Sequence, residues 1–158
     1  WSGIADSYMA LQSYSNASIA ASKATELNNK SKSFWYREGY LLQLLEMYEE
    51  SLAKYDGAIA LDPNYKDALY MKGISQIAMS NYDDAEALFD QALEIDPNYK
   101  QAYLGKGLAL HADGKLVEAQ QEYDKALEID PAYSHALISK MHVLLVMKMP
   151  REAVGMLI

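Results

Sequence analysis

Apolar residues recur at intervals of three and four through most of the chain, as in Ala85, Leu88, Phe89, Ala92 and Leu93. That spacing gathers them on one face of a helix. Two kinds of polar break interrupt the pattern. One is a turn built around proline: Leu61-Asp62-Pro63-Asn64-Tyr65-Lys66, which returns as Ile95-Asp96-Pro97-Asn98-Tyr99-Lys100 and as Ile129-Asp130-Pro131-Ala132-Tyr133-Ser134. Proline lacks an N–H and clashes with the preceding turn, so a helix ends before it. The other break lies midway between prolines, at Ser80-Asn81-Tyr82-Asp83 and at Ala112-Asp113-Gly114-Lys115. The two breaks alternate, which predicts pairs of helices.

Pro63, Pro97 and Pro131 stand 34 residues apart. With Lys66 as the first place of a 34-residue frame, other columns align. The eighth place holds Gly39, Gly73 and Gly107; the twentieth holds Ser51, Ala85, Ala119 and Ala153. The twenty-fourth holds Tyr55, Phe89 and Tyr123, and the twenty-seventh Ala58, Ala92 and Ala126. Carried backwards, the frame puts Trp1 in the fourth place, where Trp35 stands one period later, with Ala5, Tyr8, Ala17 and Ala24 in the small or aromatic columns. So many columns agreeing at one period define an internal repeat. The expected units of the single domain 1–158 are 1–31, lacking its first three places, then 32–65, 66–99, 100–133 and 134–158, cut short. A glycine inside a helix costs about 1 kcal/mol against alanine. Gly39, Gly73 and Gly107 are therefore expected where the helices of a hairpin cross closely, facing the small residue at the twentieth place.

Composition narrows the function. The net charge is −8, and such a surface repels phosphate backbones, which argues against nucleic acid and for basic partners. With no cysteine there is no disulfide, thiol catalysis or thiolate metal site. The longest apolar run, Val143 to Met147, is too short to span a membrane. With no leader or span in view the expected location is cytoplasmic. The chain begins at Trp1 and not at Met, and so reads as a fragment whose upstream signal or anchor, if any, lies out of view.

The columns resemble the tetratricopeptide repeat over nearly the whole chain. Leu69, Gly73, Ala85, Phe89, Ala92 and Pro97 carry its pattern best, followed by Tyr103, Gly107, Leu110, Ala119, Tyr123, Ala126 and Pro131. The resemblance implies an all-α, right-handed superhelical solenoid of antiparallel hairpins with a concave groove. Such arrays bind peptides or helices of partner proteins, or assemble with copies of themselves. The first unit departs by ending Leu27-Asn28-Asn29-Lys30 without proline, and the last by carrying Met141 where glycine is expected.

In that family the second, fifth, ninth and twelfth places of the first helix line the groove, a spacing that keeps one helical face. Here they hold Ser33, Tyr36, Tyr40 and Gln43; Asp67, Tyr70, Ile74 and Ile77; Gln101, Leu104, Leu108 and His111; and His135, Ile138, His142 and Leu145. The resulting groove is largely apolar and aromatic, suited to an extended or helical segment with apolar anchors. Some members hold a terminal carboxylate with a row of Lys, Asn and Arg. None of these occupies the lining places, and Arg37 stands alone nearby, so no such clamp is expected.

His111, His135 and His142 all fall on lining places. A metal would need two or three nitrogens converging within about 2.1 Å, usually with a carboxylate. Partly exposed polar groove residues are the simpler expectation, so no metal or cofactor is assigned; a pH-sensitive groove is the alternative. Glu49-Glu50 and Asp83-Asp84 start second helices, where they complement the helix dipole. No nucleophile, phosphate loop or metal-ligand spacing accompanies them, so the chain is expected to be non-enzymatic. Tyr65, Tyr99 and Tyr133 repeat after the turns and are expected to pack. Ile138 to Met147 is apolar on most faces and, with Val154 to Ile158, predicts an exposed apolar end. This is the basis for a competing expectation, a structural scaffold that forms homo-oligomers through residues 134–158.

Overall fold

The computed structural model describes residues 1–147, which form nine helices and no strand. They are α1 (Ser2–Ala10), α2 (Tyr14–Leu27), α3 (Lys32–Leu44), α4 (Tyr48–Leu61), α5 (Lys66–Ala78), α6 (Tyr82–Ile95), α7 (Lys100–Ala112), α8 (Leu116–Ile129) and α9 (Ser134–Val146). The expected second helix after α9, with Ala153 and Val154 to Ile158, lies outside the described residues. Connections of three or four residues fold each helix back on the one before it. Each second helix then packs on the first helix of the next hairpin. The first helices α3, α5, α7 and α9 also touch one another in sequence and form an inner row. The fold is an all-α helical-repeat solenoid.

Inside each hairpin the turn closes in the same way. Gln12, Glu46, Ser80 and Gly114, one period apart, take positive φ of 55°, 59°, 64° and 82°. The next N–H reaches back to a carbonyl five residues earlier: Ser13 to Tyr8, Met47 to Leu42, Asn81 to Gln76 and Lys115 to Leu110, each at 2.9 Å. This left-handed cap satisfies carbonyls that the helix end leaves free. Gly114 alone adopts it without a steric penalty.

Between hairpins, an aspartate ends the second helix and organises the turn. Asp62, Asp96 and Asp130 each accept a hydrogen bond of 3.0 Å from the backbone N–H two residues on. Each also pairs with the lysine that opens its own hairpin, Lys32, Lys66 and Lys100 respectively. The same lysines lie 4.8, 4.7 and 4.7 Å from the ring centres of Tyr65, Tyr99 and Tyr133. The first residue of a hairpin is thereby locked to its last. The lysine bond holds the Asp62, Asp96 and Asp130 carboxyls below the usual carboxylate range, helped by the backbone N–H.

The crossing glycines do their work differently from the sequence expectation. A β-carbon at Gly39 would lie 2.8 Å from a ring carbon of Tyr55; at Gly73 and Gly107 it would come within 2.6 Å of Phe89 and 2.4 Å of Tyr123. The glycines admit the aromatic ring at the twenty-fourth place, and the nearest obstacle is not the small residue at the twentieth. A β-carbon at Gly105, in the next hairpin, would likewise come within 2.6 Å of Phe89. All three rings are fully buried, and Phe89 lies between two glycines. Ser51, the one hydroxyl at the twentieth place, donates to the Tyr48 carbonyl at 2.7 Å and meets the buried Ser75 hydroxyl at 2.9 Å across the next joint, where it can accept.

Candidate protein-binding groove

The inner row of first helices carries the candidate lining positions. Tyr36, Tyr40, Gln43, Asp67, Tyr70, Ile74, Ile77, Gln101, Leu108 and His111 are all half-buried, with part of each side chain open to solvent. On α9, His135, Ile138, His142 and Leu145 are exposed, and Ser33 on α3 is exposed as well. Leu104 differs: it is buried in the cluster with Leu110, Tyr123 and Val143, and belongs to the floor.

The tyrosines of the row stand on the core rings. Tyr36 lies 5.9 Å from Tyr55 and 5.3 Å from Tyr65, centre to centre. Tyr70 repeats the arrangement, 5.8 Å from Phe89 and 5.9 Å from Tyr99. Such tilted aromatic pairs add to the burial energy and fix ring orientation. Burial pushes the Tyr36 and Tyr70 hydroxyls up to about 12, so both remain protonated donors at neutral pH.

Two polar groove residues have partners that the sequence did not disclose. The Tyr55 hydroxyl donates to Gln43 Oε1, and the Tyr99 hydroxyl donates to Asp67 Oδ1, both at 2.7 Å. Burial first, then the Asp67 bond, pushes the Tyr99 hydroxyl upward. The structural role expected for Tyr99 thus extends into the groove wall, where it orients Asp67. Arg37, which looked unattached, pairs with Asp6 of α1 at 2.7 Å.

Toward the C-terminal end the groove changes character. Ile74, Ile77, Leu108, His111 and Ala112 line an apolar hollow of about 420 Å3 between α5 and α7. His111 lies 5.1 Å from His142, ring to ring, while His135 is set apart against Tyr133 at 5.7 Å. The three histidines are therefore not gathered at one point. Burial, and then the nearby His142, holds His111 below the usual histidine value. Among the described residues no three His, Cys, Asp or Glu side chains are grouped to hold a metal ion. Beyond the hollow, Ile138 is 60% exposed and Leu145 52%, which extends the apolar strip across α9.

Stacked antiparallel hairpins, closed by the same turns and carrying an inner row of first helices, define a helical-repeat solenoid. Residues 70–134 match the family model of the tetratricopeptide repeat. By sequence those residues are tetratricopeptide repeats, and over its described length the chain shares the fold of tetratricopeptide-repeat proteins. A tetratricopeptide-repeat protein from Parabacteroides merdae is similar over 98% of this chain and 60% of its own, at 20% identity and a TM-score of 0.87. MamA from Desulfovibrio magneticus, also 20% identical, is similar over 98% of this chain and 88% of its own, with a TM-score of 0.82. YrrB, described as a tetratricopeptide-repeat protein with an unusual peptide-binding site, matches 97% of this chain and 79% of its own at 23% identity and a TM-score of 0.69. No curated protein sequence is significantly similar to the chain. No helix among the described residues is long and apolar enough to cross a membrane.

Proposed function

We propose that the chain is a non-enzymatic protein-interaction scaffold, a single domain of the five units 1–31, 32–65, 66–99, 100–133 and 134–158, whose inner groove takes a peptide or amphipathic helix. The observation that carries this reading is the half-open row from Tyr36, Tyr40 and Tyr70 to Ile74, Ile77 and Leu108. It ends in an apolar hollow large enough for one bulky side chain. A partner with an apolar face would bury its anchors there, and tyrosine hydroxyls would fix its register. The peptide-binding site named for YrrB is consistent with such a role. A basic flank on the ligand suits Asp67 and the net charge of −8.

The test is a peptide selected from a random library against the intact chain. Tyr70→Gln and Leu108→Gln should each weaken it by about tenfold or more. Ile19→Gln, an exposed change on α2, should leave it unaltered. Equal binding by all three variants would sink the groove reading.

A second reading has its own observation. Ile138, Leu145 and Val146 are half or more exposed on one helix, an apolar surface that a second copy could cover. Sedimentation of the chain with and without Ile138→Lys and Leu145→Lys tests it: a concentration-dependent dimer lost in the double variant supports homo-oligomerisation, and a monomer throughout removes it.

A further inference from the structure

The joints between hairpins repeat one ion pair, and one joint departs from it. Lys72 of α5 reaches back to Asp56 of α4 at 2.6 Å, Lys106 of α7 to Asp90 of α6 at 2.8 Å, and Lys140 of α9 to Asp124 of α8 at 2.6 Å. At the joint of α2 with α3 the same two places hold Ser22 and Glu38. Both members of the pair are different, and the joint is not bridged in this way.

What stands there instead is a hollow of about 340 Å3, walled by α2, α3 and α4. Glu38 lines it with its side chain only 4% exposed. One carboxylate oxygen, Oε1, accepts from Lys54 at 2.8 Å. The other, Oε2, is buried and has no hydrogen-bond partner. Leaving such an oxygen unsatisfied is costly, the more so for a charged group. Glu122 of α8 shares an unpartnered oxygen, but it sits beside Lys125 at a joint that Lys106 and Asp90 already bridge. The open space is what sets Glu38 apart.

The rest of the wall favours a cation. Trp35 is held by its indole N–H, which donates to the Asn29 carbonyl at 2.8 Å. Its ring has room only because residue 57 is glycine: a β-carbon there would come within 2.4 Å of it. Glu26 stands at the rim. The cations already present are engaged, Lys54 with Glu38 and Lys23 with Glu26 at 2.7 Å. The free acceptor is therefore an anionic oxygen beside an indole, on a chain of net charge −8. An ammonium or guanidinium group would supply the donor that Glu38 Oε2 lacks, beside the Lys54 ammonium that stands 5.2 Å from the Trp35 ring centre. No groove-lining residue belongs to this wall.

We infer that the hollow between α2, α3 and α4 is a second binding site, separate from the groove, that receives a lysine or arginine side chain of a partner. The experiment uses the whole chain carrying Trp1→Phe, so that Trp35 is its only indole. The probes are blocked Gly-Arg-Gly and Gly-Lys-Gly peptides, with a citrulline peptide of the same shape but no charge. Saturable change of Trp35 fluorescence is expected with at least one basic peptide, and binding of the citrulline peptide weaker by about tenfold or more. Glu38→Gln should abolish the response. The triple change Ser22→Asp, Glu38→Lys, Lys54→Glu copies the α6–α8 joint, where Asp90, Lys106 and Glu122 occupy these places. It should fold, bridge the joint and bind neither basic peptide. No saturable response, equal binding of the citrulline peptide, or undiminished binding by the folded triple variant would each overturn the inference, the hollow then holding water only.

Discussion

The first hairpin and the three that follow solve the same packing problem with different parts. In the second, third and fourth, a glycine admits a buried ring: Gly39 with Tyr55, Gly73 with Phe89, Gly107 with Tyr123. In the first, the same two places are Ala5 and Ala21, which share a cluster with Ala17, Ala20 and Leu41. The later hairpins are locked end to end by lysine, aspartate and tyrosine. The first has Asn28 and Ser31 where aspartate and tyrosine would stand. Its buried contacts are small side chains, and Trp1, Ile4, Leu11, Ile19 and Leu27 remain exposed. Less apolar area is removed from water per residue, so this hairpin is held less strongly.

The sharpest way to break the contrast is to remove a ring. Phe89→Ala should cost about 3–5 kcal/mol, because Gly73 and Gly105 cannot fill the space it leaves. The corresponding change in the first hairpin, Ala21→Gly, should cost about 1 kcal/mol. Urea unfolding of the two variants measures both, and equal losses would erase the distinction drawn between the hairpins.

Acid should act next, and on the later hairpins. The Asp62, Asp96 and Asp130 carboxyls titrate below their unfolded value of about 3.9. The stability they confer is therefore complete above that value and is lost as pH falls through the lower folded values. The urea midpoint should be flat above about pH 5 and fall below about pH 4. Replacing all three by asparagine should flatten that fall while lowering the neutral-pH midpoint. Amide exchange in α1 and α2, where Asn28 already stands, should be the least altered.

The smallest effect concerns the turns, in which all four hairpins agree. Ser80→Gly should raise stability by about 0.5–1 kcal/mol, since a left-handed residue loses its steric penalty at some cost in entropy. Gly114→Ser should lower it by a similar amount. A loss on Ser80→Gly would show that the hydroxyl contributes more than the backbone strain removes.

Much of this was legible in the sequence, because a repeat states the same packing several times. Pro63, Pro97 and Pro131 marked the ends of second helices, and Glu49-Glu50 and Asp83-Asp84 fell in their first turns as the helix dipole requires. The glycine columns signalled close approach but not to what. The partner is a ring sixteen places on, and periodicity does not rank two buried columns. The family pattern gave candidate lining positions, yet one of them, Leu104, is buried in a cluster with Tyr123 and Val143. Gln43 and Asp67 turned out to be hydrogen-bonded, since hydroxyl direction is a property of packing and not of spacing. The unbridged joint was present in plain letters, as Ser22 and Glu38 against Asp and Lys elsewhere. Only the structure shows that those two columns meet.

The lock joining the first and last residues of a hairpin has a consequence for how such a chain lengthens. Lys66 and Asp96 belong to one repeat, and so do Lys100 and Asp130. A 34-residue segment copied in frame therefore brings its own closure with it. It also brings the lysine and aspartate that bridge to whichever repeats come to lie on either side. A gene duplication of this kind adds a finished part that joins its neighbours without further change, and the inner row grows by one helix.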